Sequence, residues 1–470
     1  MARILVLGAG LCGLSTAMLL ARDGHEVTVF ERDQVPVPPA AQAWEAWQRS
    51  GVNQFRLPHL MLSRWRAQMS RELPEVLDEL EAVGGLRMNM LTMLPPRQRG
   101  AWRDGDERFE TITARRPVLE AVLASAAART PGVTIHRGVA VTGLLTDLSA
   151  GTPVPRVTGV LAEGGLALRA DLVVDCGGRR SALASWLQAV GARRPAEERA
   201  DSGFAYYGRH FRTRTGALPE GRTNVLQRHD SMSILTLPGD NGTWSVVLVT
   251  SNRDRPMRVL RDPARWDAAL ALYPHAAHWR DGEPISGVDV MAGIEDRCRA
   301  FVVDGDPVAT GVVAVGDAWA CTNPSLGRGA AIGLLHAGGL RDVLRDTDPG
   351  DHEKLVRRFD EWTAANVQPL YRATLWYDRH RLAELDADAA GVPYQTDDPT
   401  WAISLALFAA SLTDPDIARA YLSLVSMLAT PEEIFAEPGL FEKTIAHGAQ
   451  APNYPLDGPG RRDLLAAVGD

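Results

Sequence analysis

The 470-residue sequence predicts an α/β fold, in which a Rossmann-type dinucleotide-binding domain carries an inserted antiparallel β-sheet domain and is followed by a C-terminal helical region. Three observations support this prediction. A glycine-rich turn, Gly8–Gly13, follows a short apolar run near the beginning of the chain. Between residues 203 and 250, apolar and polar residues alternate with the period of β-strands. From about residue 352 onward, the pattern is mostly helical.

The first βαβ unit has the clearest pattern. Ile4–Leu7 is an apolar run of the kind found in buried parallel strands, and Val27–Phe30 is a second β-branched run. Between them the sequence predicts a helix from Leu14 to about Asp23, which Gly24 ends. Strand, glycine turn, helix and strand in this order are typical of dinucleotide-binding domains.

The remaining elements are predicted from the same periodicities. Helices are expected over residues 60–84, with a break near Pro74, over Pro117–Arg129, and from near Gly329. The turn Pro238–Gly242 predicts a β-hairpin. Strands are predicted at Val133–His136, 139–144, 155–162, Ala170–Asp175, Tyr206–Arg212, Ser231–Leu237, Trp244–Thr250 and Val312–Val315.

These elements predict three regions. A discontinuous dinucleotide-binding domain is expected at residues 1–75, 105–190 and 295–350. A substrate-binding β-sheet domain is expected at residues 76–104 and 191–294, and a helical region at residues 351–470.

Composition narrows the classes of function. Apolar residues make up 45% and charged residues 23% of the chain, as in ordinary globular proteins. A net charge of −8 argues against a nucleic-acid partner. The four cysteines show no metal-binding spacing, so no metal site is predicted. The apolar segment Ile4–Leu20 contains the glycine turn and is interpreted as strand and helix. A cytoplasmic protein without a membrane span is therefore expected.

The glycine turn has the pattern Gly8-x-Gly10-x-x-Gly13. These glycines permit a tight turn, a close approach of the backbone to a pyrophosphate, and close packing of the helix on the strand. The helix N-terminus near Leu11 and Cys12 then offers N–H donors to the phosphates.

The end of the second strand supplies the acidic residue that this motif requires. Glu31 is predicted to accept hydrogen bonds from ribose hydroxyls, and Arg32 follows it directly. This fingerprint does not by itself distinguish NAD from FAD.

A second motif makes that distinction. It begins in the strand Val312–Val315 and continues as Gly316-Asp317, Pro324 and Gly327-Arg328-Gly329. It resembles the GD motif of flavoprotein monooxygenases. Its aspartate can accept a hydrogen bond from a ribityl hydroxyl, and its glycines bring backbone N–H groups to the pyrimidine edge of a flavin. The helix that begins there favours negative charge on reduced flavin.

Three further segments extend this resemblance. Residues 51–59 resemble a segment G-V-x-Q-x-R-x-x-H near the flavin, Arg116-Pro117 matches an arginine that approaches FAD, and residues 171–181 stand where the family carries its DG motif. Over roughly residues 1–350, the chain resembles class A-type FAD-dependent monooxygenases with the p-hydroxybenzoate hydroxylase fold. The resemblance is closer to the bacterial branch that includes polyether epoxidases.

The two motifs and the resemblance together predict a set of FAD-binding residues. They are Gly8, Gly10, Leu11, Cys12, Gly13, Glu31, Arg32, Gln54, Arg116, Gly316, Asp317, Pro324, Gly327, Gly329 and Ala330.

The chain departs from the family at two positions. Gly177 replaces the usual aspartate of the DG motif, and Leu57 replaces a histidine often found in the 51–59 segment. Two structural alternatives also stay open. The 51–59 segment would then be a loop packed on its own domain, and Arg116 an ordinary surface arginine near a helix start.

The resemblance implies hydroxylation or epoxidation of an apolar or aromatic small molecule by O₂ through a flavin C4a-hydroperoxide, in secondary-metabolite biosynthesis. NADH or NADPH would supply electrons, directly or through a partner flavin reductase. No catalytic side chain is identified by the sequence.

Three other functions are considered. Flavin-dependent halogenases use an active-site lysine in the flavin domain, whereas the first lysine here is Lys354, so this function is rejected. An FAD-dependent reductase or dehydrogenase acting on C=C or C–H bonds is the main alternative, and oxygen-dependent turnover would distinguish it. The other alternative is a non-catalytic binding protein of the same fold, against which the intact Gly316-Asp317 motif argues.

Overall fold

The computed structural model describes residues 1–147, 154–448 and 450–469. Its strands, in chain order, are β1 (Arg3–Leu7), β2 (Glu26–Glu31), β3 (Leu86–Asn89), β4 (Glu110–Thr113), β5 (Val133–Arg137), β6 (Val141–Asp147), β7 (Arg156–Ala162), β8 (Leu166–Arg169), β9 (Leu172–Asp175), β10 (Ala196–Asp201), β11 (Phe204–Arg212), β12 (Leu226–His229), β13 (Met232–Pro238), β14 (Thr243–Ser251), β15 (Glu283–Pro284), β16 (Asp289–Ala292), β17 (Glu295–Ala300), β18 (Val302–Val303), β19 (Asp306–Pro307), β20 (Val312–Ala314) and β21 (Ala320–Cys321).

The α-helices, in chain order, are α1 (Leu11–Arg22), α2 (Ala43–Ala46), α3 (Ser63–Glu72), α4 (Pro74–Ala82), α5 (Pro96–Arg99), α6 (Arg116–Arg129), α7 (Leu183–Ala189), α8 (Pro263–Leu270), α9 (Gly329–Arg345), α10 (His352–Asn366), α11 (Gln368–Ala390), α12 (Pro399–Ser411), α13 (Pro415–Val425), α14 (Pro431–Phe435), α15 (Leu440–Gly448) and α16 (Arg461–Val468). In the part of the chain that the structure describes, none of them is long and apolar enough to cross a membrane.

A parallel sheet with the strand order β20-β9-β1-β2-β5 organises the N-terminal half. Leu7 of β1 and Ala314 of β20 both pair with Asp175, the last residue of β9. The carboxyl ends of these three strands therefore lie at one edge. The two glycine turns that follow β1 and β20 meet there, as the sequence predicts.

An antiparallel sheet, whose strands are not in chain order, lies across the cavity from that edge. Its order is β12-β13-β14-β11-β15, and β16 also pairs with β11. The predicted hairpin is confirmed, because β13 and β14 pair from Ser233 to Pro238 across the turn. Tyr206 and Tyr207 alternate along β11, so their side chains lie in two different hydrophobic clusters on opposite faces. One face of this sheet can therefore line a site that the other does not reach.

The helical C-terminal region and the inserted antiparallel sheet are confirmed as features of the fold. Several bounds differ from the predictions. Helix α1 begins at Leu11 and not at Leu14, because the glycine turn ends abruptly at Gly10, which caps the helix. Strand β6 is shifted to Val141–Asp147. Strand β8 (Leu166–Arg169), which is short and mostly exposed, was not predicted. The exact division into three domains stays a prediction.

Candidate functional site

A deep cavity lies where the parallel sheet, the antiparallel sheet and the C-terminal helices meet. Its volume is about 390 Å³, within the roughly 300–1,000 Å³ that ligand pockets typically have. The cavity is therefore of a size that holds a small molecule or part of a cofactor.

Two parts of the cavity differ in the elements that line them. The glycine end is lined by Gly10, Leu11, Cys12, Arg116, Asp317 and Gly329. The helical end is lined by Arg328, Trp376, Tyr377 and Tyr421. Tyr206 from β11 lies on the wall that the antiparallel sheet contributes.

The three glycines of the first turn have separate structural reasons. Gly8 has φ +102°, a left-handed conformation that side chains rarely adopt. A Cβ atom at Gly13 would collide with the carbonyl oxygen of Gly8. A Cβ atom at Gly10 would meet no protein atom within 4 Å. Gly8 and Gly13 are thus required by the fold itself, whereas Gly10 leaves the backbone open toward the cavity.

Two helices begin at the glycine end without a side-chain cap. Helix α1 has Gly10 at its N-cap and α9 has Arg328, and neither residue caps its helix by a side-chain hydrogen bond. The free N–H groups of a first turn and the helix dipole favour negative charge. This arrangement fits FAD, whose pyrophosphate would lie at α1 and whose pyrimidine edge would lie at α9.

A buried ion-pair network holds the end of β2. Arg49 pairs with both Glu31 and Glu120, at 2.5 Å between its Nη1 and Oε2 of Glu120. Glu31 also accepts hydrogen bonds from the backbone N–H groups of Ala9 and Asp33, each at 3.0 Å. Burial disfavours the charged form of Arg49, but the negative charges of Glu120 and Glu31 outweigh this effect and raise the pKa of the Arg49 guanidinium.

Arg116 continues this network to the cavity. Its Nε donates to Oε1 of Glu120 at 2.7 Å, and its Nη1 lies 3.4 Å from Oε1 of Gln54 and 3.3 Å from Nε2 of His59. Nδ1 of His59 is bonded to the carbonyl of Leu57 at 2.8 Å, which leaves Nε2 to accept from Arg116. Burial, with the Arg116 charge, lowers the pKa of His59 to about 4. The histidine is therefore neutral near pH 7.

This geometry settles how the 51–59 segment packs. Gln54 and His59 contact Arg116, and all three residues line the cavity. Arg56 instead donates to the carbonyl oxygens of Trp44 and Trp47 and stacks over the Trp44 ring. Arg56 thus stabilises a loop of its own domain, as the structural alternative for this segment expects. Arg116, by contrast, is not an ordinary surface arginine.

Asp317 lies deep in the molecule, but its side chain is exposed to the cavity. Burial raises the pKa of Asp317, and the positive charge of Arg116 opposes this rise. Within the described residues, its carboxylate accepts no hydrogen bond from the protein, so it is available to a ligand hydroxyl.

A compact polar cluster surrounds the Pro324 turn. The Tyr206 hydroxyl bonds to Oδ1 of Asn323 and lies 2.6 Å from Oγ of Ser325. The backbone N–H of Asn323 donates to Oδ1 of Asp296 at 2.6 Å. Burial raises the pKa of Asp296 to about 6. Asp378, which is 3% exposed, has no hydrogen-bond partner for either carboxylate oxygen within the described residues.

The structure brings most of the predicted cofactor residues together. Those that line the cavity are Gly10, Leu11, Cys12, Gln54, Arg116, Gly316, Asp317, Pro324, Gly327, Gly329 and Ala330. Those that do not line it are Gly8, Gly13, Glu31 and Arg32. Gly8 and Gly13 shape the turn, Glu31 is 6% exposed with its oxygens bonded to protein groups, and Arg32 is exposed beside Gly51. That Glu31 and Arg32 contact the cofactor stays a prediction.

In the segment at the DG position, residues 171–181, the aspartate side chain forms hydrogen bonds within the segment itself. Asp175 at the end of β9 accepts a hydrogen bond from the N–H of Gly177 at 2.9 Å and another from the Ser181 hydroxyl. Asp175 is therefore a turn-stabilising residue, and Gly177 offers no carboxylate of its own. The neighbouring Cys176 and Gly178 line the cavity.

Sequence reasoning missed two groups of residues. Arg49 forms the centre of the ion-pair network, but an isolated arginine in a loop carries no pattern. The aromatic and charged residues of the helical end were not predicted either. Trp376 and Tyr377 on α11 and Tyr421 on α13 reach the cavity only because these helices fold back over it.

Comparisons with known sequences find one family match and several similar proteins. Residues 3–121 match the family described as FAD dependent oxidoreductase. The chain is 28% identical to protein Rv3254 of Mycobacterium tuberculosis, over 94% of this chain and 93% of that protein. It is 31% identical to a kynurenine 3-monooxygenase of Salinispora arenicola over 40% of this chain and 38% of that protein.

Solved structures share the fold at low identity. PqsL, a probable FAD-dependent monooxygenase from Pseudomonas aeruginosa, is 17% identical with a TM-score of 0.60, over 83% of this chain and 98% of its own. OxyS, an anhydrotetracycline hydroxylase from Streptomyces rimosus, is 19% identical with a TM-score of 0.55, over 91% and 76%. CmlS, a flavin-dependent halogenase, is 17% identical with a TM-score of 0.56, over 99% and 76%. Residues 3–121 thus match the FAD dependent oxidoreductase family, and the chain shares its fold with PqsL, OxyS and CmlS.

Proposed function

We propose that the protein is an FAD-dependent monooxygenase that inserts one oxygen atom of O₂ into an apolar or aromatic small molecule, as a hydroxylase or an epoxidase. The observation that carries this proposal is that one cavity contains both the glycine end, which has the turns of a dinucleotide-binding site, and the helical end, which is lined by aromatic side chains. Bound FAD would supply the oxygen chemistry, through the C4a-hydroperoxide that the family resemblance implies. A role in secondary metabolism is part of the same proposal.

The residues of the glycine end would hold the cofactor. The first turns of α1 and α9 supply N–H donors, and the Asp317 carboxylate is positioned to accept from a hydroxyl of the ribityl chain. Arg116 is fixed by Glu120, Gln54 and His59, so its charge is held at the cavity wall without rearrangement. Preorganised charge of this kind acts without a reorganisation cost during the reaction.

The remaining walls would position the substrate and exclude water. The antiparallel sheet contributes Leu235, Leu237 and Val247, and the C-terminal helices contribute aromatic rings. A dry, apolar site protects a reactive oxygen donor from water and orients the carbon that is attacked. The protein needs no nucleophile for this chemistry.

The source of electrons is part of the proposal. NADH or NADPH would reduce the flavin, either in the open part of the cavity or through a partner flavin reductase.

Halogenation is less well supported, although a halogenase shares the fold. Residues 1–353 contain no lysine, and the nearest basic group at the helical end is Arg328, whose guanidinium is a much weaker nucleophile than an amine.

The proposal is tested by turnover under isotopically heavy O₂. The holoprotein is supplied with NADH or NADPH, a general flavin reductase and a panel of apolar and aromatic compounds, and products are analysed by mass spectrometry. A monooxygenase incorporates one heavy oxygen atom for each product molecule. Product that forms equally well without O₂ would instead indicate the reductase or dehydrogenase alternative, and a purified protein that binds no FAD would indicate the non-catalytic one.

A further inference from the structure

The Arg328 guanidinium is a charge without a protein counterion. Arg328 precedes α9, and its Nη1 donates to Oγ1 of Thr374 on α11 at 3.2 Å. Its Nε is buried and has no hydrogen-bond partner. In residues 1–147, 154–448 and 450–469, no carboxylate forms an ion pair with it. Guanidinium groups stay protonated even when they are buried, so this positive charge persists.

The acid that acts most strongly on this charge does not neutralise it. Asp378 follows Thr374 by one helical turn and lies on the same face of α11. Burial, reinforced by the charge of Asp296, keeps the pKa of Asp378 well above its usual range. Burial thus disfavours the ionised form of Asp378, and within the described residues it forms no ion pair with Arg328.

A charge that is largely removed from solvent and has no counterion is costly, and a ligand that pairs with the accessible part of the Arg328 guanidinium recovers part of that cost. Two aromatic rings, those of Tyr377 and Tyr421, line the same cavity as Arg328. Its side chain reaches away from the first turn of α9 toward α11, and thus toward the helical end. These positions favour a ligand other than the flavin.

We propose that Arg328 binds the carboxylate of the substrate, which is therefore an apolar carboxylic acid whose carbon skeleton lies among Trp376, Tyr377 and Tyr421. The proposal rests on the proposed function, since it assigns the helical end to substrate. A carboxylate matches the planar fork of one guanidinium and carries one charge. A phosphate monoester would bring up to two charges, whereas among the described residues that line the helical end Arg328 is the one cation.

The experiment compares two isosteric probes, 2-naphthoate and 2-naphthamide, on the oxidised, FAD-loaded protein. Dissociation constants are measured by calorimetry and by the perturbation of flavin absorbance. We expect naphthoate to bind about 30-fold more tightly than naphthamide, the effect of a desolvated charge pair. In Arg328→Gln the two probes should bind about equally, and Arg328→Lys should retain part of the preference.

Arg379→Gln is the matched control, because it removes the same charge from an exposed position of α11 beside Asp378. It should keep the preference of the unmodified protein. If Arg328→Gln cannot hold FAD, the ratio in the unmodified protein and the Arg328→Lys variant decide the question.

Several outcomes would overturn the proposal. They are equal binding of acid and amide by the unmodified protein, no binding of naphthoate up to its solubility limit, and an unchanged ratio in Arg328→Gln. An unchanged ratio with a shifted flavin reduction potential would assign the arginine to the cofactor. None of these measurements involves O₂, so failure here is distinct from failure of the monooxygenase proposal.

Discussion

The two ends of the cavity differ in whether their charged side chains have partners of opposite charge within the described residues. At the glycine end, Arg49, Arg116, Glu31 and Glu120 form one continuous network in which every charge has an opposite partner. At the helical end, Nε of Arg328 and both carboxyl oxygens of Asp378 have no hydrogen-bond partner in the described residues. The four charges of the network are paired within the protein, whereas the Arg328 guanidinium has no carboxylate partner in the described residues.

This difference teaches how one cavity can serve two molecules. A resident cofactor is best held by groups that are already fixed, because fixed groups lose no rotamer entropy on binding. A substrate that exchanges in every cycle can supply the missing partner itself, and that gain is available only while it is bound. Substitutions at the two ends should therefore have effects of opposite sign.

The largest effect is expected at the glycine turn. Gly13→Ala would force a Cβ atom against the carbonyl oxygen of Gly8, so the apoprotein should lose more than about 4 kcal/mol of stability and its FAD. Gly10→Ala is the control, since its Cβ meets no protein atom. The apoprotein of Gly10→Ala should unfold at the same urea concentration as the parent, but should bind FAD more weakly. Normal FAD affinity in Gly10→Ala would refute the placement of the cofactor.

The ion-pair network gives the next largest effect. Glu120→Gln removes the carboxylate shared by Arg49 and Arg116, and it should lower the free energy of unfolding by about 3 kcal/mol, because Arg116 loses its ion pair and Arg49 keeps only its pairs with Glu31 and Asp33. The matched control is Glu79→Gln, which breaks the more exposed pair with Arg129 and should cost less than about 1 kcal/mol. Both are measured by urea denaturation. Equal losses would show that the network is not preorganised as described.

The same acid-to-amide change should stabilise the polar cluster around the Pro324 turn. Asp296 has a pKa of about 6 in the folded protein, above its value in the unfolded chain, so stability is lost as the pH rises from about 4 to about 6 and stays lower above that. Asp296→Asn should raise the free energy of unfolding by about 1–3 kcal/mol at pH 8 and by little at pH 4. The exposed control Asp306→Asn should change it by less than about 0.5 kcal/mol at either pH. A destabilising effect of Asp296→Asn at pH 8 would contradict the comparison.

The smallest effect concerns the proton on His59. Arg116→Met removes a positive charge 3.3 Å from Nε2 of this histidine, and the pKa of His59 should therefore rise above about 4. It should stay below its ordinary value, because burial is the larger cause. An NMR titration of the histidine ring measures this shift. An unchanged pKa would mean that Arg116 does not face the ring.

Local patterns account for what the sequence predicted. The glycine turns after β1 and β20 are short motifs in which each residue has a backbone reason, such as the positive φ of Gly8. The hairpin at Pro238–Gly242 has its own turn chemistry. Even the shift of α1 from Leu14 to Leu11 is local, since a glycine N-cap gives no side-chain signal that marks the first helical residue.

Long-range contacts account for what the sequence did not predict. The bond between Arg328 and Thr374 and the one between Tyr206 and Asn323 join residues far apart in the chain. Helical periodicity identifies α11 and α13 as helices but does not state which element they cover. The aromatic wall of the helical end is therefore visible only in the folded chain.

The most direct test of the account is the oxygen reaction of the reduced flavin. The FAD-loaded protein is reduced without oxygen, mixed rapidly with oxygenated buffer, with and without 2-naphthoate, and followed by its visible absorbance. The account predicts a transient C4a-oxygenated flavin spectrum before the flavin is reoxidised, with a longer lifetime when the acid fills the helical end. Direct return to oxidised flavin under both conditions would contradict it and favour a reductase or dehydrogenase.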